Sequence, residues 1–192
     1  MEVGTEGLVI LFSIIIGSYY IINMYNEKDL VKITSDVDNE KYTVQIKHDS
    51  KEAADLIAKI KQRIITLIEH MEKTFGISDE RVANLKNNFR PDRLKEGVDT
   101  PGYTSYSVNK GEQIVLCLRN KDDLVDINTM MFVAIHELGH LMTKEIGHVP
   151  PFWDNMKFLL EKGIELGIYK KQDFHSNPVD YCGTKITDSP LK

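Results

Sequence analysis

The alternation of apolar and polar residues changes period along this chain, and each period predicts an element. Residues 42–46, Tyr-Thr-Val-Gln-Ile, alternate with a period of two and are rich in β-branched side chains, which predicts a strand. From Ser50, read as an N-cap, to about Phe75, apolar positions recur at steps of three and four: Ala53, Leu56, Ile57, Ile60, Ile64, Leu67, Ile68 and Met71. That spacing predicts an amphipathic helix, closed by Gly76. Lys59, Lys61 and Arg63 stand between those positions and read as its solvated face. A shorter helix is expected over 80–89, ended by Pro91. Two short β-type runs, 104–108 and 113–118, flank a turn at Asn109-Lys110-Gly111-Glu112 and read as a hairpin. A strongly apolar helix should start at Asp126, a good cap residue, and stop at Gly147. Pro151 near a first helical position opens another, which Gly167 ends. The tail from 172 onward shows no period, and no internal repeat is evident.

The beginning of the chain follows neither period. Residues 7–26 carry no charge, and a helix of about 20 residues spans roughly 30 Å, the hydrocarbon thickness of a bilayer. Tyr19, Tyr20 and Tyr25 lie toward its C-terminal end, where aromatic rings suit the interface. The preceding residues are acidic and no small-residue cleavage site follows, which argues against a removable signal peptide. The expectation is a transmembrane anchor over 1–26, a polar, acidic linker over 27–40 with a short strand at 30–33, and one domain over 41–192. Lys28 and Lys32 follow the span and no lysine precedes it, so the single-pass reading puts the C-terminal domain on the cytosolic side.

Composition narrows the function. A hydrophobic fraction of 42% supports a modest core rather than disorder. All 24 Lys and Arg lie after residue 26, against 27 of the 29 Asp and Glu, which leaves that part at −3. A domain built to grip phosphates would usually be basic, so nucleic acid is not favoured as a partner, although charge alone does not exclude it. Cys117 and Cys182 make no disulfide framework; two reduced thiols are expected, with a Cys117–Cys182 bridge as the lesser alternative.

The chemistry sits at 136–140, His136-Glu137-Leu138-Gly139-His140, inside the apolar helix. Positions i and i+4 share a helix face, so both imidazoles can point at one Zn²⁺, while Glu137 can reach a water bound there. A catalytic zinc site needs a third protein ligand. His148 is the first choice, because Gly147 can reverse the chain and swing it back. Glu161 and Glu165 on the following helix compete, with His175 and Asp154 behind them. The mechanism expected is hydrolysis by zinc-activated water, with Glu137 as general base and Tyr181 or His175 as candidate donors to the developing oxyanion. An extended protein or peptide substrate could pair with the strand at 113–118. Cys182 is a minor candidate for capping the zinc in a latent state.

The stretch from Thr104 to Asn155 resembles the WLM metallopeptidases and their SprT-like relatives. It carries the hairpin, the HELGH helix and the continuation Gly147-His148-Val149-Pro150-Pro151-Phe152-Trp153. It is most similar to the versions carried by large DNA viruses, which also show a hairpin like Tyr106-Ser107-Val108-Asn109-Lys110-Gly111 and a tail like Pro178-Val179-Asp180-Tyr181-Cys182-Gly183. The resemblance implies an α+β, compact zincin-like domain: a small antiparallel sheet with a hairpin, an active-site helix and flanking helices. It also implies one Zn²⁺ held by His136, His140 and His148, with Glu137 as base. Family members with known roles cut proteins attached to DNA. The spacing to His148 is longer here than in many of them, and an anchor with an acidic balance is unlike a DNA-repair protease.

The expected function is thus a membrane-anchored zinc metalloendopeptidase acting near a cytosolic or virion-interior membrane face. A catalytically silent virion or membrane structural protein that keeps the fold is the alternative, although a scaffold has no need of Glu137. A protease acting on DNA-bound proteins is a third reading.

Overall fold

The computed structural model describes residues 12–18, 29–98 and 104–191. Strands β1 (Leu30–Thr34) and β2 (Lys41–Gln45) form an antiparallel hairpin, followed by helix α1 (Ser50–Phe75) and helix α2 (Glu80–Asn88). A 3₁₀ turn at Pro91–Arg93 leads into β3 (Leu94–Glu96). Then come β4 (Tyr106–Val108), β5 (Gln113–Leu116), β6 (Arg119–Asn120) and β7 (Asp123–Leu124). Helices α3 (Ile127–Met142) and α4 (Pro150–Glu165) precede a last hairpin, β8 (Val179–Tyr181) and β9 (Thr184–Ile186).

The fold is α+β with several small sheets, and the expected architecture is corrected in two respects. First, the strands do not make one antiparallel sheet: β1-β2, β6-β7 and β8-β9 are separate pairs, and the three-stranded sheet β3-β5-β4 is mixed, with β3 parallel to β5. Second, among the described residues no helix is long and apolar enough to cross a membrane. Helix is described only over 12–18, seven residues, where a span needs about 20. The rest of the expected span, 7–11 and 19–26, lies outside the described residues. The transmembrane anchor and the single-pass localisation therefore fall away.

Helix α3 is buried nearly all round: Met130, Met131, Phe132, Val133, Ala134, Ile135, Leu138 and Leu141 all belong to the core. A helix without a polar face must sit inside the domain, and α1, α2 and α4 pack against it. Asp126 caps it as expected, accepting from the backbone N–H of Asn128 at 2.9 Å and Thr129 at 3.0 Å. It ends at Met142, five residues before Gly147, because Thr143 turns its backbone to extended geometry and its hydroxyl donates back to the Gly139 carbonyl at 2.7 Å. At α1 the capping residue is Asp49; Ser50 is already helical and its hydroxyl donates to Gln45 and Lys47 carbonyls.

The solvated face expected on α1 is corrected at Lys61. Lys61 is only 5% exposed and ion-paired to Asp38 at 2.7 Å and Glu40 at 2.8 Å. Burial works against its charge, but hydrogen bonds with Asp38, Glu40 and Tyr42 outweigh that and hold the ammonium above the ordinary lysine range. The acidic stretch at 36–40, expected to be linker, thus seats on α1. A second buried set joins three elements: the Arg119 side chain has no exposure and bonds Glu96 of β3 at 2.7 Å and Asp49 at the start of α1.

Cys117 and Cys182 form a disulfide, which overturns the expectation of two free thiols. They are 65 residues apart in sequence, so only the folding back of the β8–β9 hairpin onto β5 and β6 makes them neighbours.

Candidate metal centre

His136 and His140 lie one turn apart on α3 with ring centroids 5.0 Å apart. His148 reaches them from the loop 143–149, where Gly147 takes φ 91° and so permits a reversal that a side chain would resist. Its ring centroid is 4.9 Å from each of the other two. One ligand atom of each of the three lies within 4.8 Å of the others, and the Nε2 atoms of His136 and His148 are 3.0 Å apart. Zinc–nitrogen bonds of about 2.0–2.1 Å put tetrahedral donor atoms roughly 3.3 Å from one another, so the three imidazoles fit a single ion with small adjustment. Burial first, then the neighbouring imidazoles, pushes His136 down to about 3 and, with Lys110 adding to it, His140 down to about 4. Both rings are therefore neutral near pH 7, with lone pairs available for a cation. This cluster could bind a metal ion.

The rings are held by aromatic packing from the first turn of α4. Phe152 stacks on His140 at 4.3 Å and meets His136 and His148 edge-on at 4.9 and 4.8 Å. Trp153 stacks on His148 at 5.5 Å, and its indole N–H donates to the His148 carbonyl at 3.0 Å. Gly139 makes this possible, since a Cβ there would come within 3.0 Å of the Phe152 ring. The glycine inside HELGH is thus a packing requirement of the phenylalanine that positions the histidines.

The hairpin tip holds the loop from the other side. Asn109 and Lys110 both have positive φ, and Gly111 N–H donates to the Val108 carbonyl at 2.9 Å, as in a type I′ turn. This turn aims the Lys110 ammonium at the carbonyls of Thr143, at 3.0 Å, and Lys144. A cation there complements the C-terminal end of α3.

Glu137 points from α3 toward the same cavity, about 530 Å³ in volume, which Ser107, Lys110 and the three histidines also line. It is 4% exposed, and burial raises its carboxyl to about 7 while hydrogen bonds from Ser107 pull the other way. A carboxyl poised near neutrality beside a metal-competent cluster can accept or give a proton at little cost.

The remaining sequence candidates separate cleanly. Tyr181 is buried next to the site: its hydroxyl shares a 2.5 Å hydrogen bond with Ser105 and donates to the Cys117 carbonyl at 3.0 Å. Burial raises its phenol, with the Glu137 charge adding to that. His175 lines a different cavity, with Phe174 and Leu191, and is not part of the cluster. Glu161, Glu165 and Asp154 are exposed on α4, and Glu165 is paired to Lys162. None of them joins the cluster. Cys182 is bound in the disulfide and cannot cap an ion. The strand at 113–118, expected to receive substrate, is interior, because β3 and β4 already occupy both its edges. The outer strand facing the cavity is β4, which carries Tyr106 and Ser107. Sequence reasoning had passed over Ser107, Lys110, Gly139 and Phe152 as site residues; the glycine and the Phe-Trp pair were visible in the motif, but their roles needed the packing.

No family model matches the chain, and no solved structure matches it. It is similar to uncharacterized protein R325 of Acanthamoeba polyphaga mimivirus, 30% identical over 189 residues that make up 96% of each chain. It is also similar to uncharacterized protein 136R of Invertebrate iridescent virus 6, 27% identical over 85% of this chain and 92% of that one. Over a shorter stretch, 41% of this chain and 48% of the other, it is 40% identical to uncharacterized protein 042R of Invertebrate iridescent virus 3.

Proposed function

The chain belongs to the family of viral proteins that includes protein R325 of the mimivirus, and we propose that it acts there as a zinc-dependent metallopeptidase hydrolysing peptide bonds of a protein or peptide substrate. The observation that carries this reading is the convergence of three imidazoles, two of them driven neutral by burial, beside a buried carboxyl raised to about 7 on the helix that carries those two. The resemblance to WLM and SprT-like metallopeptidases points the same way.

In this reading His136, His140 and His148 hold the ion. Bound there, zinc supplies the Lewis acidity that makes water a nucleophile near pH 7 and draws charge from the scissile carbonyl. The chain's own groups do the rest. Glu137 takes a proton from the attacking water on a carboxylate oxygen and passes it to the departing amine. Phe152 and Trp153 fix the imidazoles so that little reorganisation accompanies binding. The Tyr181 hydroxyl stabilises the oxyanion by turning from the Cys117 carbonyl. Lys110 holds the loop that carries His148. An extended substrate lies along β4.

Zinc analysis of the purified chain, joined to a casein-cleavage assay with and without chelator, tests this. One zinc per chain is expected, with cleavage abolished by chelator. Glu137→Gln should retain the metal and lose about 10²–10⁴-fold in rate, whereas His148→Ala should lose the metal and Glu161→Ala should not. A Glu137→Gln protein that cleaves like the parent would refute the proposal.

A further inference from the structure

A second cavity, about 300 Å³ in volume, opens on the other side of the same carboxyl. It shares Thr104, Ser105, His136 and Glu137 with the metal cavity, so the two meet at the group proposed as base. Its floor is Phe132 and Val133 of α3, and its far wall is the last hairpin and the segment after it: Ile186, Thr184, Thr187 and Asp188. The hairpin wall is fixed in place by the Cys117–Cys182 disulfide and by Asn120, whose side chain bonds the Asp180 carbonyl at 2.6 Å and the Cys182 N–H at 2.6 Å.

The lining of this cavity is mixed. Near Glu137 the Tyr181 phenol is bonded to Ser105 and the Cys117 carbonyl. Phe132, Val133 and Ile186 supply apolar lining. The lining also includes the exposed Asp188 carboxylate, which accepts from the Ser189 N–H at 2.7 Å and makes no ion pair with any described residue. Apolar lining together with an uncompensated carboxylate matches a side chain with a methylene stem and a cationic head. We infer that this cavity, walled by the C-terminal hairpin and lined by Asp188, is a specificity subsite that takes a lysine or arginine flanking the scissile bond. The inference rests on the peptidase reading above and names its substrate class.

A peptide pool cut after glutamate, which leaves lysine and arginine internal, is incubated with the zinc-loaded full chain, and the new termini are read by mass spectrometry. Lysine and arginine should be enriched at one position beside the cut. Asp188→Asn, which preserves the Ser189 contact, should lower that enrichment about fivefold, the scale of a largely exposed ion pair. Asp188→Lys should replace it with aspartate and glutamate. Cleavage with no basic enrichment, or enrichment untouched in Asp188→Asn, overturns the subsite and leaves the peptidase reading standing. If nothing is cut, the peptidase reading fails, and immobilised Glu137→Gln chain decides the subsite: retention of basic peptides that Asp188→Asn abolishes supports it, and unselective retention or none overturns it.

Discussion

Arg119 with Asp49 and Glu96 is a set of buried charges paired with one another, whereas His136, His140 and Glu137 are buried groups without a counter-charge. In the first set the guanidinium bonds both carboxylates, and one of those carboxylates also accepts the Gln45 N–H at 2.7 Å. Burial pushes the Asp49 carboxyl up, but Arg119 more than reverses it and holds it below the ordinary range. In the second set no counter-charge answers burial, so the imidazoles are driven neutral and the carboxyl is driven up. The same penalty, taking charge out of water, is more than offset by the guanidinium at Asp49, only partly offset at Glu96, whose carboxyl burial still holds above its ordinary range, and left for a ligand to exploit in the histidine cluster. A titratable cluster reads as functional when its protein partners leave valence open, not because it is buried.

The comparison can be broken most severely at the clamp. Arg119→Met strands two carboxylates and should cost about 3–5 kcal/mol of stability in urea unfolding. A small effect would mean that the clamp is not what holds β3, β6 and the start of α1 together. Reducing the disulfide, which joins residues 65 apart, should cost about 2–4 kcal/mol in the same measurement, with zinc affinity little changed because none of the three clustered histidines lies on that hairpin. Gly139→Ala drives a methyl toward the Phe152 ring and should cost about 1–3 kcal/mol. Unlike the first two, it should also weaken zinc binding, read by competition with a chromogenic chelator, because the displaced ring carries the histidines.

The smallest effect, and the one that sharpens the contrast, is on pH. In metal-free protein, His136 and His140 bind fewer protons folded than unfolded, so they remove stability as pH falls from their unfolded value near 6.5 toward about 4 and about 3. Glu137, raised to about 7, acts in the opposite sense, adding stability as pH falls toward its unfolded value near 4.5. Glu96, which burial also holds above its ordinary range, acts in the same sense as Glu137, so the imidazoles are isolated by comparing the parent with Glu137→Gln, whose stability should fall more steeply than the parent's below about pH 6. Asp38 and Asp49, held low by Lys61 and Arg119, contribute stability that is lost only below their unfolded value of about 4. Urea midpoints at pH 7, 5 and 3.5 in the two proteins separate the two phases, and a Glu137→Gln profile no steeper than the parent's between 7 and 5 would contradict the raised Glu137 carboxyl.

Much of this was legible in the chain itself. The periods over 50–75 and 127–142 specified two of the main helices, because a stripe or a full coat of apolar side chains can be buried in few ways. Asp126 marked where α3 begins, and the i,i+4 histidines with an intervening carboxylate marked the site, because helix geometry alone brings them together. Elements of two or three residues, β3, β6, β7, β8 and β9, carry no period and were invisible. The uncharged N-terminal run had suggested a membrane span, a reading that composition permitted and that the described helices do not support.

What the sequence by itself determined is local: where helices run, which face is apolar, and that two imidazoles and a carboxylate share one turn. Only the tertiary structure decided the third histidine, the disulfide, the burial of Lys61 and Arg119, and the cavity lined by Asp188. Each of those joins elements far apart along the chain, through contacts made when loops close and water is expelled, and no short-range pattern records them.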